Sequence, residues 1–160
     1  MNAYERLLQQ GYEEGLIIKE KPLYTNAIAL CKGKKIALNT NKLRTTRHKR
    51  YVLSEEIWHS KVTVGDITDT TNISNLKQEN FARKCSINNL VPLDAIVEAL
   101  LNYCINLQDM CEYLNVPEEC FCEAIKYYKQ KHGVFYRCND YTLYFEPLSV
   151  VGSSIGDDEI

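Results

Sequence analysis

No run of apolar residues in this sequence is long enough to cross a bilayer, which excludes a membrane-spanning helix. An excess of one charge is lacking too: 19 Lys and Arg against 21 Asp and Glu leave a net charge of -2. Nothing in that balance draws the chain to nucleic acid or to an anionic membrane. There is no internal repeat of the kind that builds solenoids and propellers. The first residues, MNAYERLLQQ, lack the apolar stretch of a secretion signal and read as an amphipathic helix. A disulfide framework is missing as well, since Cys31, Cys85, Cys104, Cys111, Cys120, Cys122 and Cys138 are odd in number and irregular in spacing. Free thiols in a reducing cytoplasm are the reading that follows. Cys120-x-Cys122 reads as ordinary packing rather than as a metal-ligand pair, because residues two apart on a helix point to nearly opposite sides.

What is present suits one α+β domain over residues 1–152, with 45% hydrophobic and 25% charged residues in a chain of 160. Tyr4, Leu7, Leu8 and Tyr12 recur at helical spacing, and Gly15 supplies a stop. Three short β-rich runs follow, at 15–21, 26–31 and 35–39, separated by Pro22 and by the turn Lys32-Gly33-Lys34. They predict a small N-terminal antiparallel sheet. Thr45 or Thr46 can cap the next helix, whose apolar surface is Val52, Leu53, Ile57 and the ring of Trp58. The stretch GDITDTTNISN at 65–75 reads as a loop. Helices are expected at about 76–90, ending before Pro92, then at 93–104, 107–114 and 117–133. Alternating residues at 134–138 and 141–145 around Asn139-Asp140 predict a C-terminal hairpin. The acidic tail 153–160 is expected to be disordered.

The stretch that carries chemistry is SEEIWH, residues 54–59. A zinc-protease helix reads H-E-x-x-H, with two histidines one turn apart holding the metal and the glutamate acting on a water. Here Glu55 stands in the first histidine's place. Positions i and i+4 share a helix face, so Glu55 and His59 can reach one ion, and Glu56, displaced by about 100°, can flank it. A site also needs a third protein ligand and an open position. Glu79, early in the following helix, is the leading candidate. Taken alone, SEEIWH reads first as an amphipathic helix with solvated glutamates.

From residue 16 to residue 151 the chain resembles the ImmA/IrrE family of metallopeptidases, especially small members from phages and integrated elements. The resemblance lies in the N-terminal sheet, SEEIWHSKVTVGDI at 54–67, KQENFARKCSINNLVPL at 77–93 and YTLYFEPLSV at 141–150, which fall in family order. The second block resembles the family helix E-x-x-A-N-x-F-A-x-x-L-L-M-P, with Glu79, Ala82 and Pro92 in register. The likeness implies a zincin-like helical core, Glu79 as third ligand, His59 as the second histidine ligand and Glu56 as the catalytic residue that activates a metal-bound water. It implies zinc as cofactor and a helix-turn-helix repressor, encoded beside such proteins, as the substrate. Glu55 and Trp58 depart from the pattern, which has histidine and glycine there. A carboxylate binds zinc at about the same length as an imidazole, roughly 2.0–2.2 Å. Two carboxylates with a neutral His59 cancel a divalent charge, however, so weaker acidification of water, lower activity and a shift toward manganese are expected. The alternative is a non-catalytic descendant that binds a repressor without cutting it.

The other conspicuous residues read more plainly. His48 lies eleven residues before His59, about 16 Å along one helix, and is no co-ligand. His132 precedes Gly133 at a helix C-terminus, where an imidazolium would suit the dipole. The basic run RTTRHKR at 44–50 reads as a solvated helix start. Residues 106–128 have a helix-turn-helix cadence within a helical segment at about 93–132, turning at Leu114-Asn115-Val116. Glu118 and Glu119 open its second helix and would repel phosphates, so direct nucleic-acid binding is not expected.

Overall fold

The structure, a computed structural model, describes residues 1–62 and 73–152. Helix α1, Ala3–Glu13, starts with a capping box in which the Asn2 side chain accepts from the Glu5 amide while the Glu5 carboxylate accepts from the Asn2 amide. It buries Tyr4, Leu7 and Gly11. A Cβ on Gly11 would meet Ile18 Cδ1 at 2.5 Å, so a larger residue would require the end of that side chain to move aside where the helix packs on the sheet. Gly15, at φ +81°, then turns the chain into the first strand.

The N-terminal sheet is mixed, which corrects the expected antiparallel arrangement. Strands β1, Ile17–Lys21, β2, Ala29–Lys32, and β3, Lys35–Asn39, lie in the order β1-β3-β2. β2 pairs antiparallel with β3 and β1 pairs parallel with it. The chain reverses before and after β2, so an all-antiparallel sheet requires β2 in the middle. Instead the segment between β1 and β2 is fastened to the end of β3. Fully buried Asn39 donates to the Ala27 carbonyl at 2.8 Å and accepts from the Leu23 amide at 3.1 Å. β2 is thereby held on the outer side of β3.

Helix α2, Thr46–Val62, begins where Thr45 Oγ1 accepts from the His48 amide at 3.2 Å. Its Leu53 and Ile57 join Tyr4, Leu7, Ile18, Ile36 and Leu38 in a first core. Helix α3, Ile73–Leu90, starts a few residues earlier than its sequence pattern suggests. Of the expected loop at 65–75, residues 73–75 form its first turn and the rest lies outside the described residues, as does the tail 153–160.

A second core gathers Ile87 and Leu90 of α3 with residues of α4, Leu93–Leu101, α5, Leu107–Leu114, α6, Glu118–His132, and the C-terminal strands. α4 stops short of the expected 104. Asn115, at φ +53°, makes the left-handed turn between α5 and α6. The expected hairpin, β4, Phe135–Cys138, and β5, Tyr141–Phe145, is extended by β6, Leu148–Gly152, into a three-stranded antiparallel sheet. β6 follows Pro147 and is half-buried or exposed throughout, so it offers no alternation to read. No helix among the described residues is long and apolar enough to cross a membrane. All seven cysteines are free thiols, with Cys120 buried and Cys122 exposed on one helix.

Two expectations about cations are corrected. The His132 ring lies among those of Tyr128, Tyr136 and Phe145, and its Nε2 is buried without a hydrogen-bond partner. Burial, with Lys131 nearby, lowers its pKa, which favours a neutral ring over an imidazolium serving the helix dipole. The basic run at 44–50 is no merely solvated helix start. Lys49 pairs with Glu20, His48 Nε2 lies 3.0 Å from Glu119 Oε1, and Arg50 Nη1 donates to the carbonyls of Leu114 at 3.1 Å and Asn115 at 2.9 Å. Arg50 thus satisfies carbonyls that the end of α5 leaves free. Arg50→Met keeps the apolar stem and removes both bonds; it is expected to lower unfolding stability by about 1.5–3 kcal/mol in urea titrations. An unchanged midpoint would show that water serves those carbonyls equally well.

Candidate functional site

The four residues singled out in the sequence sit on two packed helices. Ser54 of α2 and Ser86 of α3 are buried against each other, with Ser86 donating to Ser54 Oγ at 2.8 Å. Beside that contact, α2 presents Glu55, Glu56 and His59, and α3 presents Glu79.

His59 Nε2 and Glu79 Oε1 are 3.5 Å apart, with side chains 15% and 35% exposed. Two donors bound to one tetrahedral ion at zinc-ligand lengths are separated by roughly 3.3–3.5 Å. The contact is an ion pair between two helices, and its length is also compatible with two ligands of one metal.

Glu55 is paired with a cation of α3. Its Oε1 lies 3.6 Å from Arg83 Nε, and Arg83 Nη1 lies 3.4 Å from Glu123 Oε1 on α6. The Tyr51 hydroxyl donates to Glu123 Oε2 at 3.0 Å. Burial pushes the Glu55 carboxyl up to about 7 against the opposing pull of Arg83, with Glu123 and Glu79 adding to the rise. Burial also pushes Glu56 up to about 7, helped by Glu55 and Glu79. Glu56 lies on the side of β2: the Cys31 thiol approaches its carbonyl, and Cys31 is pushed up to about 11 by burial and then by the Glu56 charge.

The donor chemistry, one imidazole and two carboxylates on adjoining helices, fits a zinc-type ion. His59 and Glu79 stand 3.5 Å apart, while Glu55 is paired with Arg83. Among the described residues, no three His, Cys, Asp or Glu side chains converge as a metal-holding group. Trp58 is half-buried, with Lys61 Nζ 4.8 Å from its ring centroid and Lys61 also paired to Glu14. His48 is bound to Glu119 and stands apart from the site.

Three residues of the site escaped the sequence reading. Arg83 had a weak signal, since it follows Glu79 by one helical turn and shares its face. Tyr51 and Glu123 had none, because only the packing of α6 on α2 and α3 brings them there. No protein-family model matches the chain, and no curated protein matches it.

The raised carboxyls carry a signed consequence for stability. The folded state holds protons on Glu55 and Glu56 up to about 7, whereas the unfolded chain releases them near the ordinary value of 4.5. Their contribution to stability is full below about 4.5, declines as pH rises and is lost above about 7. Glu56→Gln removes one of the two groups. In chelator-treated protein its urea-unfolding free energy should fall less steeply between about pH 5 and 8, exceeding wild type above neutrality by on the order of 1–3 kcal/mol. Identical pH slopes would reject the buried-carboxylate account.

Proposed function

We propose that this chain is a metallopeptidase-like protein of the ImmA/IrrE type, a metal-dependent endopeptidase acting on a helix-turn-helix repressor of a phage or mobile element. The observation that carries the reading is the 3.5 Å approach of His59 and Glu79 from separate helices, at the spacing of two ligands sharing an ion. The zincin-like core and the repressor substrate come from the sequence resemblance.

His59, Glu79 and Glu55 would hold the ion, zinc or manganese. Bound there, a divalent cation supplies Lewis acidity to a peptide carbonyl and to water. Glu56 would be the general base and then the general acid: its carboxylate takes a proton from the attacking water and gives it to the leaving amine. The first turn of α6 carries Glu118 and Glu119, which disfavour a phosphate backbone and support a protein partner over DNA.

A second reading has its own support. The Arg83 guanidinium beside Glu55 favours a descendant that binds the repressor without cutting it. Elemental mass spectrometry on protein purified without chelator or affinity tag separates the two. Wild type should carry about one zinc or manganese per chain, and both His59→Ala and Glu79→Ala should lose it. Glu56→Gln should keep the metal and cut repressor cleavage by at least about 100-fold. A wild-type protein that stays empty after metal is added back would remove the peptidase reading and leave the binding-only protein.

A further inference from the structure

Resting on the metal-site reading above, we propose that Arg83 sets how tightly this site takes a divalent cation, because its guanidinium holds Glu55 whenever the cation does not. Arg83 follows Glu79 by one turn of α3, so third ligand and competitor project from the same helix face. Its Nε is 3.6 Å from Glu55 Oε1 and its Nη1 is 3.4 Å from Glu123 Oε1. Both separations exceed the roughly 2.7–2.9 Å of a tight charge-assisted bond, and the guanidinium spans two carboxylates instead of forking onto one. A cation held this loosely can be displaced.

There is also somewhere for it to go. Arg83 lines an open groove of about 280 Å³ between α3 and α6, together with Lys84, Ile87, Glu123, Lys126 and Tyr127. Its side chain is 47% exposed, whereas that of Glu55 is 20% exposed. The guanidinium can withdraw toward the groove and solvent while remaining near Glu123. Glu55 has no such freedom, being fixed on α2 and more deeply set. Ion and guanidinium carry the same sign of charge and seek the same oxygen, so each weakens the other's hold on it.

The test is calorimetric titration of zinc chloride, and separately manganese chloride, into chelator-stripped wild type, Arg83→Gln, Lys126→Gln and His59→Ala, with bound metal counted after dialysis. Arg83→Gln should bind about five- to tenfold more tightly than wild type. Lys126→Gln removes the same charge from the same groove but from a residue not paired with Glu55, and should stay within about twofold of wild type. An Arg83→Gln affinity within about twofold of a wild type whose binding His59→Ala abolishes would overturn the role of Arg83 and leave the metal site standing. Equal tightening by Arg83→Gln and Lys126→Gln would overturn it as well, by reducing the effect to general charge. No bound metal in either wild type or Arg83→Gln would overturn the metal-site reading, and this inference with it.

Discussion

The candidate site depends on how closely α2 and α3 approach. Ser54 on one helix and Ala82 and Ser86 on the other are 1%, 0% and 1% exposed. Ala82 and Ser86 are one turn apart on a single face, so small side chains line the contact and the axes can lie near each other. The hydroxyl bond from Ser86 to Ser54 satisfies polar groups that burial would otherwise leave costly. The charged residues sit at the margins of this contact: Glu55 follows Ser54, while Glu79 and Arg83 flank Ala82. A branched side chain at Ser54 or Ala82 would force the helices apart and open the 3.5 Å gap between His59 and Glu79.

Burial around the site follows from the same two helices serving two cores. α2 gives Leu53 and Ile57 to the core with Ile18, Ile36 and Leu38, and α3 gives Ile87 and Leu90 to the core with Met110, Phe121 and Tyr128. Between those cores the contacts are polar: Arg50 on the carbonyls ending α5, Tyr51 on Glu123, and Arg83 between two carboxylates. Groups in that position are partly desolvated without being sealed in. This is why burial is the leading cause of the raised Glu55 and Glu56 carboxyls, and why neighbouring charges only modify it.

Local signals were read well where local physics decides. The bounds of α5 and α6 follow from Asn106, Asn115, Pro117 and Gly133, each of which acts within a turn of itself. Strand order did not follow, because three alternating runs give the same pattern whichever of them lies in the middle. The parallel pairing of β1 with β3 depends on Asn39 reaching back to Leu23 and Ala27, and no periodicity encodes that. The helical face shared by Glu55 and His59 was legible from spacing, as was the displacement of Glu56. The arrival of Arg83 and Glu123 beside Glu55 was not, since it requires the relative placement of three helices separated by long stretches of chain.

The charge pattern suggests that two peculiarities of this sequence are one. Glu55, Glu56, Glu79 and Glu123 gather around a single imidazole and a single guanidinium, and carboxylates held together out of water raise one another's proton affinity unless a cation joins them. With a histidine at position 55, two imidazoles and Glu79 would leave a bound divalent ion with net positive charge, and a guanidinium one turn beyond Glu79 would find no anion at 55 and a repelling centre beside it. With Glu55 in place the balance reverses. The three expected ligands sum to a charge that cancels a divalent ion, and in its absence the same carboxylate accepts Arg83. A glutamate at 55 and an arginine at 83 are therefore physically coupled, since the guanidinium offsets part of the cost of holding that carboxylate out of water.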